Sequence, residues 1–201
     1  MNFLAHLWLA DQTATSLAGA VLGDWLRGRI PDDYPADLKL GVALHRRVDT
    51  MTDSHPAIAQ TREQFAGGHR RYAGILLDIV TDHLLIQQWD RFSDESLHDF
   101  TQRCAQAVAA QGEWFEQSGG GAPDARDFQR LLLSYGSGEG VERALRRTAQ
   151  RLSKPDGLLA ATEHWQQHAH ALEPRLPELL NDLSAVAIAF VRDAQTTAAD
   201  L

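Results

Sequence analysis

Cysteine is nearly absent. There is a single one, Cys104, in 201 residues, so no disulfide framework can form within the chain, and a reduced, cytoplasmic setting is expected. Long apolar runs are missing as well. No stretch approaches the roughly 20 apolar residues of a membrane span, and no basic region precedes the short apolar run at the N-terminus, so neither a span nor a signal peptide is expected. Positive charge is outweighed: 19 Lys and Arg stand against 27 Asp and Glu, a net charge of −8, which argues against a general nucleic-acid binder. The alternation of strand and helix patterns that marks an α/β fold is also missing, and there is no internal repeat.

What is there is helical periodicity in a chain that is 44% hydrophobic and 23% charged, the profile of one soluble globular domain. The pattern predicts an all-α, single-domain helical bundle of about eight to ten helices over residues 1–195, with 196–201 as a frayed tail. Helices are expected near 2–10, 16–28, 36–52, 56–66, 70–92, 94–117, 124–135, 139–152, 156–171 and 173–195. The Ser-Gly-Gly-Gly-Ala-Pro at 118–123 and the Tyr-Gly-Ser-Gly-Glu-Gly at 135–140 are the strongest breaks. Neither follows a predicted strand, so both read as turns between helices rather than phosphate-cradling loops.

The most informative stretch is 76–85, Leu-Leu-Asp-Ile-Val-Thr-Asp-His-Leu-Leu. Asp78 and Asp82 are one helical turn apart, on nearly one face of a helix that is apolar almost all round and therefore buried. Two such carboxylates repel each other and are costly to desolvate unpaired. A cation is expected beside them: a divalent metal, or a guanidinium such as that of Arg46 or Arg47. His83 lies about 100° round the helix from Asp82 and need not share that site.

Two other segments carry similar chemistry. In residues 16–28, Ser16 is a plausible N-cap, and Asp24 follows seven small or apolar residues, on the side of the helix dipole that disfavours it. Residues 38–56 place His45, Asp49 and Asp53 at successive i, i+4 positions. Imidazole with carboxylate at that spacing suits Mn²⁺, Fe²⁺ or Zn²⁺ better than Ca²⁺, and Arg46 and Arg47 flank the face where they could hold phosphate oxygens. The competing reading is a helix end, with Asp53 or Ser54, the latter favoured, capping the next helix and Pro56 at its first position. It does not account for His45 and Asp49. In the first helix His6 reads as a hydrogen-bonded core residue rather than a ligand. The Arg143, Arg147 and Arg151 stripe could meet an acidic partner, although Glu139 and Glu142 stand at ion-pairing distance along the same helix. His164, His168 and His170 are expected to face solvent.

Four boxes, Met-Asn-Phe-Leu-Ala-His-Leu at the start, Gly-Asp-Trp-Leu-Arg-Gly at 23–28, Leu-His-Arg-Arg-Val-Asp with Thr-Asp within 44–53, and Leu-Asp-Ile-Val-Thr-Asp-His-Leu at 77–84, resemble the acyl carrier protein phosphodiesterase family. The likeness is dense over about residues 1–95. It implies hydrolysis of the phosphodiester that joins 4′-phosphopantetheine to a serine of holo-acyl carrier protein. It also implies an all-helical fold related to the HD phosphohydrolases and a divalent cofactor, usually Mn²⁺, with Mg²⁺, Fe²⁺ or Zn²⁺ as alternatives. The adjacent His-Asp pair of ordinary HD enzymes is replaced by the reversed Asp82-His83. On this reading Asp24, His45 and Asp78, with Asp49 or Asp82, would hold the metal. Arg46 or Arg47 would clamp phosphate, and His83 or His6 would protonate the leaving serine oxygen. The carrier protein would dock on Arg27, Arg29, Arg70 and Arg71, or on the Arg143–Arg151 stripe. A phosphohydrolase acting on a small nucleotide and a non-catalytic helical binding protein are the rival readings.

Overall fold

The computed structural model describes residues 1–65 and 67–199. The chain is all-α. Its helices are α1 (Phe3–Gln12), α2 (Leu17–Leu22), α3 (Ala36–Ser54), α4 (Pro56–Glu63), α5 (Ala73–Gln87), α6 (Leu97–Ala109), α7 (Gly112–Gln117), α8 (Ala125–Ser134), α9 (Gly138–Ala149), α10 (Asp156–Thr162), α11 (Trp165–Leu172) and α12 (Leu176–Ala199). Short 3₁₀ turns at Gly67–Tyr72 and Trp89–Arg91 flank α5, so the helix expected over 70–92 is shorter than its apolar pattern. The stretches expected as single helices at 94–117 and 156–171 each resolve into two, α6 with α7 and α10 with α11. The last helix runs through Ala199; residues 200 and 201, the end of the expected tail, lie outside the described residues. No helix among the described residues is long and apolar enough to cross a membrane.

Helix α5 lies at the centre. Leu76, Leu77, Val80 and Leu85 are buried, and the helix meets α1, α9 and α11 on different sides. A helix covered all round needs apolar residues all round, which is what its sequence supplies. Truncating one such leucine to Ala would cost about 2–5 kcal/mol. Against α5 packs α1, with Leu4, Leu7 and Leu9 buried.

Helices α2 and α3 approach unusually closely because glycines face each other. A Cβ on Gly19 would come 2.7 Å from the carbonyl oxygen of Leu38 and 2.9 Å from Cα of Gly41. Ser16 caps α2 as expected, accepting a hydrogen bond from the Gly19 N–H at 3.1 Å. After Leu22 the chain leaves the helix in tight turns rather than continuing to 28. Pro56 does open α4, but the cap is His55, whose Nδ1 accepts from the Ala57 N–H at 3.1 Å. The Ser54 hydroxyl instead donates back to the Thr50 carbonyl, so the expected Ser54 cap is not formed. His168, expected in solvent, is buried with its ring stacked on Phe65 at 3.6 Å between centroids.

Candidate metal centre

Four elements converge beside the start of α1. Helix α1 brings His6, the turn after α2 brings Asp24, α3 brings His45 and Asp49, and α5 brings Asp78. Nε2 of His6 lies 3.0 Å from Oδ1 of Asp49, and Nε2 of His45 lies 3.1 Å from Oδ2 of the same carboxylate. The two imidazoles stack with centroids 3.9 Å apart and planes 22° from parallel. Asp24 Oδ1 is 3.7 Å from His45 Nε2. The α-ammonium of Met1 sits between Asp49 at 3.0 Å and Asp78 at 3.1 Å.

Local sequence explains how this is held. Nδ1–H of His45 donates to the Ala20 carbonyl at 2.7 Å. A carbonyl only accepts, so this bond fixes the tautomer and leaves Nε2 turned towards the carboxylates, the usual way a ligating histidine is oriented. The ring fits because residue 23 is glycine: a Cβ there would overlap the His45 imidazole. The imidazoles are buried, whereas the side chains of Asp24, Asp49 and Asp78 are about 40% exposed, so the cluster has a dry floor and an open mouth.

Electrostatics follow from this placement. Burial, reinforced by His45, pulls His6 down to about 3, so it is a neutral base at any physiological pH. Burial also opposes the charged form of His45, but the hydrogen bond and charge of Asp49, with Asp24, outweigh it and raise its pKa. Burial opposes ionisation of Asp49, yet the two histidines hold its pKa below the ordinary range. Asp24 and Asp78 are raised, chiefly by burial. Among the described residues, His6, His45 and Asp49 are the group whose donor atoms lie within 4.8 Å of one another. Two imidazole nitrogens and a carboxylate, one histidine tautomerically fixed, are a fitting donor set for a divalent transition metal.

The remaining residues singled out from the sequence are elsewhere or otherwise engaged. Asp82, grouped with Asp78 as a ligand, is fully buried and accepts from the backbone N–H of Leu4 at 2.8 Å and of Ala5 at 3.0 Å. Its carboxyl caps the N-terminal turn of α1, which no pattern within α5 could reveal. His83 points away from the cluster, with Nδ1–H donating to the Tyr135 carbonyl at 2.8 Å and its ring edge-on to Trp165. Arg46 donates to the Leu26 carbonyl at 2.8 Å and ties down the loop after α2; Arg47 is exposed. Arg29 forms an exposed pair with Asp32 at 2.9 Å. Arg70 and Arg71 are exposed in the turn before α5, Arg71 over the Tyr72 ring. Asp53 pairs with Arg62 at 3.0 Å. The Arg46 and Arg47 ion pairs considered for Asp78 and Asp82 are not formed.

A cleft of about 480 Å³ leads outward from Asp24. Arg27, Arg147 and Arg151 line it, with Asn2 and Tyr135. Tyr135 escaped sequence reasoning because it lies in a Gly-Ser turn far from the acidic helices. Burial pushes its phenol up to about 12, so it is protonated at neutral pH. Nδ2 of Asn2 is buried with no hydrogen-bond partner among the described residues.

Fold and centre together define an all-helical protein with a His–His–Asp cluster whose neighbour Asp24 lines a basic cleft. The model of the family described as acyl carrier protein phosphodiesterase matches residues 1–183; the chain belongs to that family. A curated protein of that name from Escherichia coli O6:K15:H31 is 32% identical over 196 residues, 94% of this chain and all of the relative. One from Photorhabdus laumondii is 47% identical over 91 residues, 45% of this chain and 46% of the relative, and one from Enterobacter sp. (strain 638) is 34% identical over 179 residues, 87% of this chain and 91% of the relative. No solved structure matches the chain.

Proposed function

We propose that this chain hydrolyses the phosphodiester between 4′-phosphopantetheine and a serine of holo-acyl carrier protein, with a divalent metal, Mn²⁺ first among the candidates, held by His6, His45 and Asp49. The observation that carries the proposal is that Asp24, 3.7 Å from Nε2 of His45 in that cluster, also lines a cleft with Arg27, Arg147 and Arg151. Relatives of the whole chain bear the matching name. The metal would supply Lewis-acid chemistry, lowering the pKa of water and offsetting charge on the phosphate. Asp24 flanks the donor set and would complete it, joined by Asp78 where the metal takes the place of the Met1 ammonium between Asp49 and Asp78; Asp82 is left out because both its oxygens serve α1.

The chain's own residues would do the rest. Arg27, Arg147 and Arg151 would hold the phosphate oxygens. Serine alkoxide is a poor leaving group. Tyr135, protonated in the cleft wall, would donate a proton to the seryl oxygen, in the role first considered for His83 and His6. With a net charge of −8 the chain as a whole repels an acidic carrier protein, so the arginines of α9 beside the cleft would guide it. Incubation of purified protein with holo-acyl carrier protein and Mn²⁺, followed by intact mass, tests the reading: loss of the phosphopantetheine mass is expected, and an unchanged carrier protein overturns it.

A further inference from the structure

A second groove, of about 490 Å³, runs between α8, α9 and the loop before α8. It shares Trp25, Leu131, Ala144 and Arg147 with the cleft at Asp24, so the two are continuous. Their chemistry differs. The cleft is polar. The groove has Val21, Trp25, Phe128 and Leu131 along it; Asp124 and the Asp127–Arg130 ion pair also line it, as do the Arg143 guanidinium and the Ser134 hydroxyl, which donates to the Leu131 carbonyl and can still accept.

Its indole wall is fixed in place. Trp25 is 36% exposed yet stacks on Phe3 at 5.7 Å and 24° and meets Phe115 edge-on at 5.7 Å. Phe3 in turn meets Phe128 edge-on at 5.8 Å. On the other side Gly120 leaves room for the ring, since a Cβ there would come 2.8 Å from the indole Cδ1. An exposed tryptophan held from three sides is a preorganised apolar surface rather than a loose side chain.

We propose that this groove is the subsite for the pantetheine arm, the part of the substrate beyond the phosphate; the inference rests on the reading of the Asp24 cleft as the phosphodiester site. An arm leaving that cleft can enter the groove past the four residues the two share. Its volume falls within the roughly 300–1,000 Å³ of small-molecule sites. The lining matches the arm's alternation of branched or linear hydrocarbon with two amides: Trp25, Phe128 and Leu131 for the former, Ser134 and Arg143 for the latter. The enzyme thereby recognises the prosthetic group itself and not only a phosphoserine diester.

The test is calorimetric binding of pantetheine, which lacks the phosphate, to the full chain, beside inhibition of holo-carrier hydrolysis. Gly121 lines the mouth and has open space around its Cβ position, so Gly121→Trp should fold and fill the groove; Phe128→Ala, checked by circular dichroism, is the second variant. Pantetheine should bind and inhibit competitively, and each variant should weaken binding by about tenfold or more. Hydrolysis of the carrier without pantetheine binding, or binding unaltered in both variants, overturns the subsite and leaves the phosphodiesterase reading standing. Groove-dependent pantetheine binding without hydrolysis does the reverse.

Discussion

The imidazoles of His6 and His45 stack 3.9 Å apart and reach the two oxygens of one carboxylate, Asp49. One residue of the stack is a neutral base and the other is biased towards its protonated form. Two imidazolium ions would repel across that stack, so at most one of the two rings is charged, and a metal would displace its extra proton.

Metal affinity should therefore depend on pH through His45 and not through His6. His45 has a raised pKa and must lose a proton to bind metal; His6, at about 3, has none to lose. Mn²⁺ affinity is expected to climb as pH rises from about 6, by up to about tenfold per unit, and to level off above the His45 pKa. Calorimetry in buffers of different ionisation heat should register proton release on binding near pH 6.5.

Gly23→Ala is expected to damage the centre without touching a ligand. The new methyl group would overlap the His45 ring, forcing the imidazole off its bond to Ala20. Loss of a comparable supporting contact costs about 10–100-fold in metal affinity or activity. Mn²⁺ titration, with circular dichroism to verify folding, checks it.

Asp82→Ala should behave as a stability variant. It strips two buried N–H groups, those of Leu4 and Ala5, of their acceptor, at about 1–3 kcal/mol each. The urea midpoint should fall accordingly. The pH dependence has a definite sign: burial raises Asp82 from 3.8 to about 7, so its contribution is complete below 3.8 and is lost as pH rises through 7. His6, lowered from 6.5 to about 3, acts oppositely, its contribution being complete above 6.5 and lost as pH falls. Asp82→Asn should remove the first dependence and leave the second.

These contrasts show how much was legible in the sequence. The i, i+4 spacing of His45 with Asp49, and carboxylates set among leucines on α5, pointed to the elements that meet, and the all-α class followed from periodicity. Spacing along one helix could not separate Asp78 from Asp82, because the difference lies at the start of the chain: the N-terminal turn of α1 seats on Asp82, and the Met1 α-ammonium ahead of it meets Asp78. His6 read as a core histidine because it is solitary in its helix; its partner comes from α3. Tyr135 and Arg147 lie more than 100 residues from Asp24, and only tertiary packing brings them to the same cleft.

Tyr135→Phe should lower kcat by about 10²-fold or more while leaving Mn²⁺ affinity unchanged. A loss of metal binding would assign Tyr135 to the structure of the centre instead of to proton transfer.

Arg147→Glu should raise KM for carrier protein several-fold and weaken the dependence of the association rate on salt. Arg70→Glu, on the turn before α5 and outside the cleft, should change both less. Stopped-flow association over a range of ionic strength makes the comparison.

The most direct test of the centre is an electron paramagnetic resonance titration of Mn²⁺ into the metal-stripped chain and its Asp49→Ala variant. The account predicts saturable, stoichiometric binding by the parent chain and its loss on removing the one carboxylate that both histidines face. No binding by the parent, or equal binding by the folded variant, would contradict it.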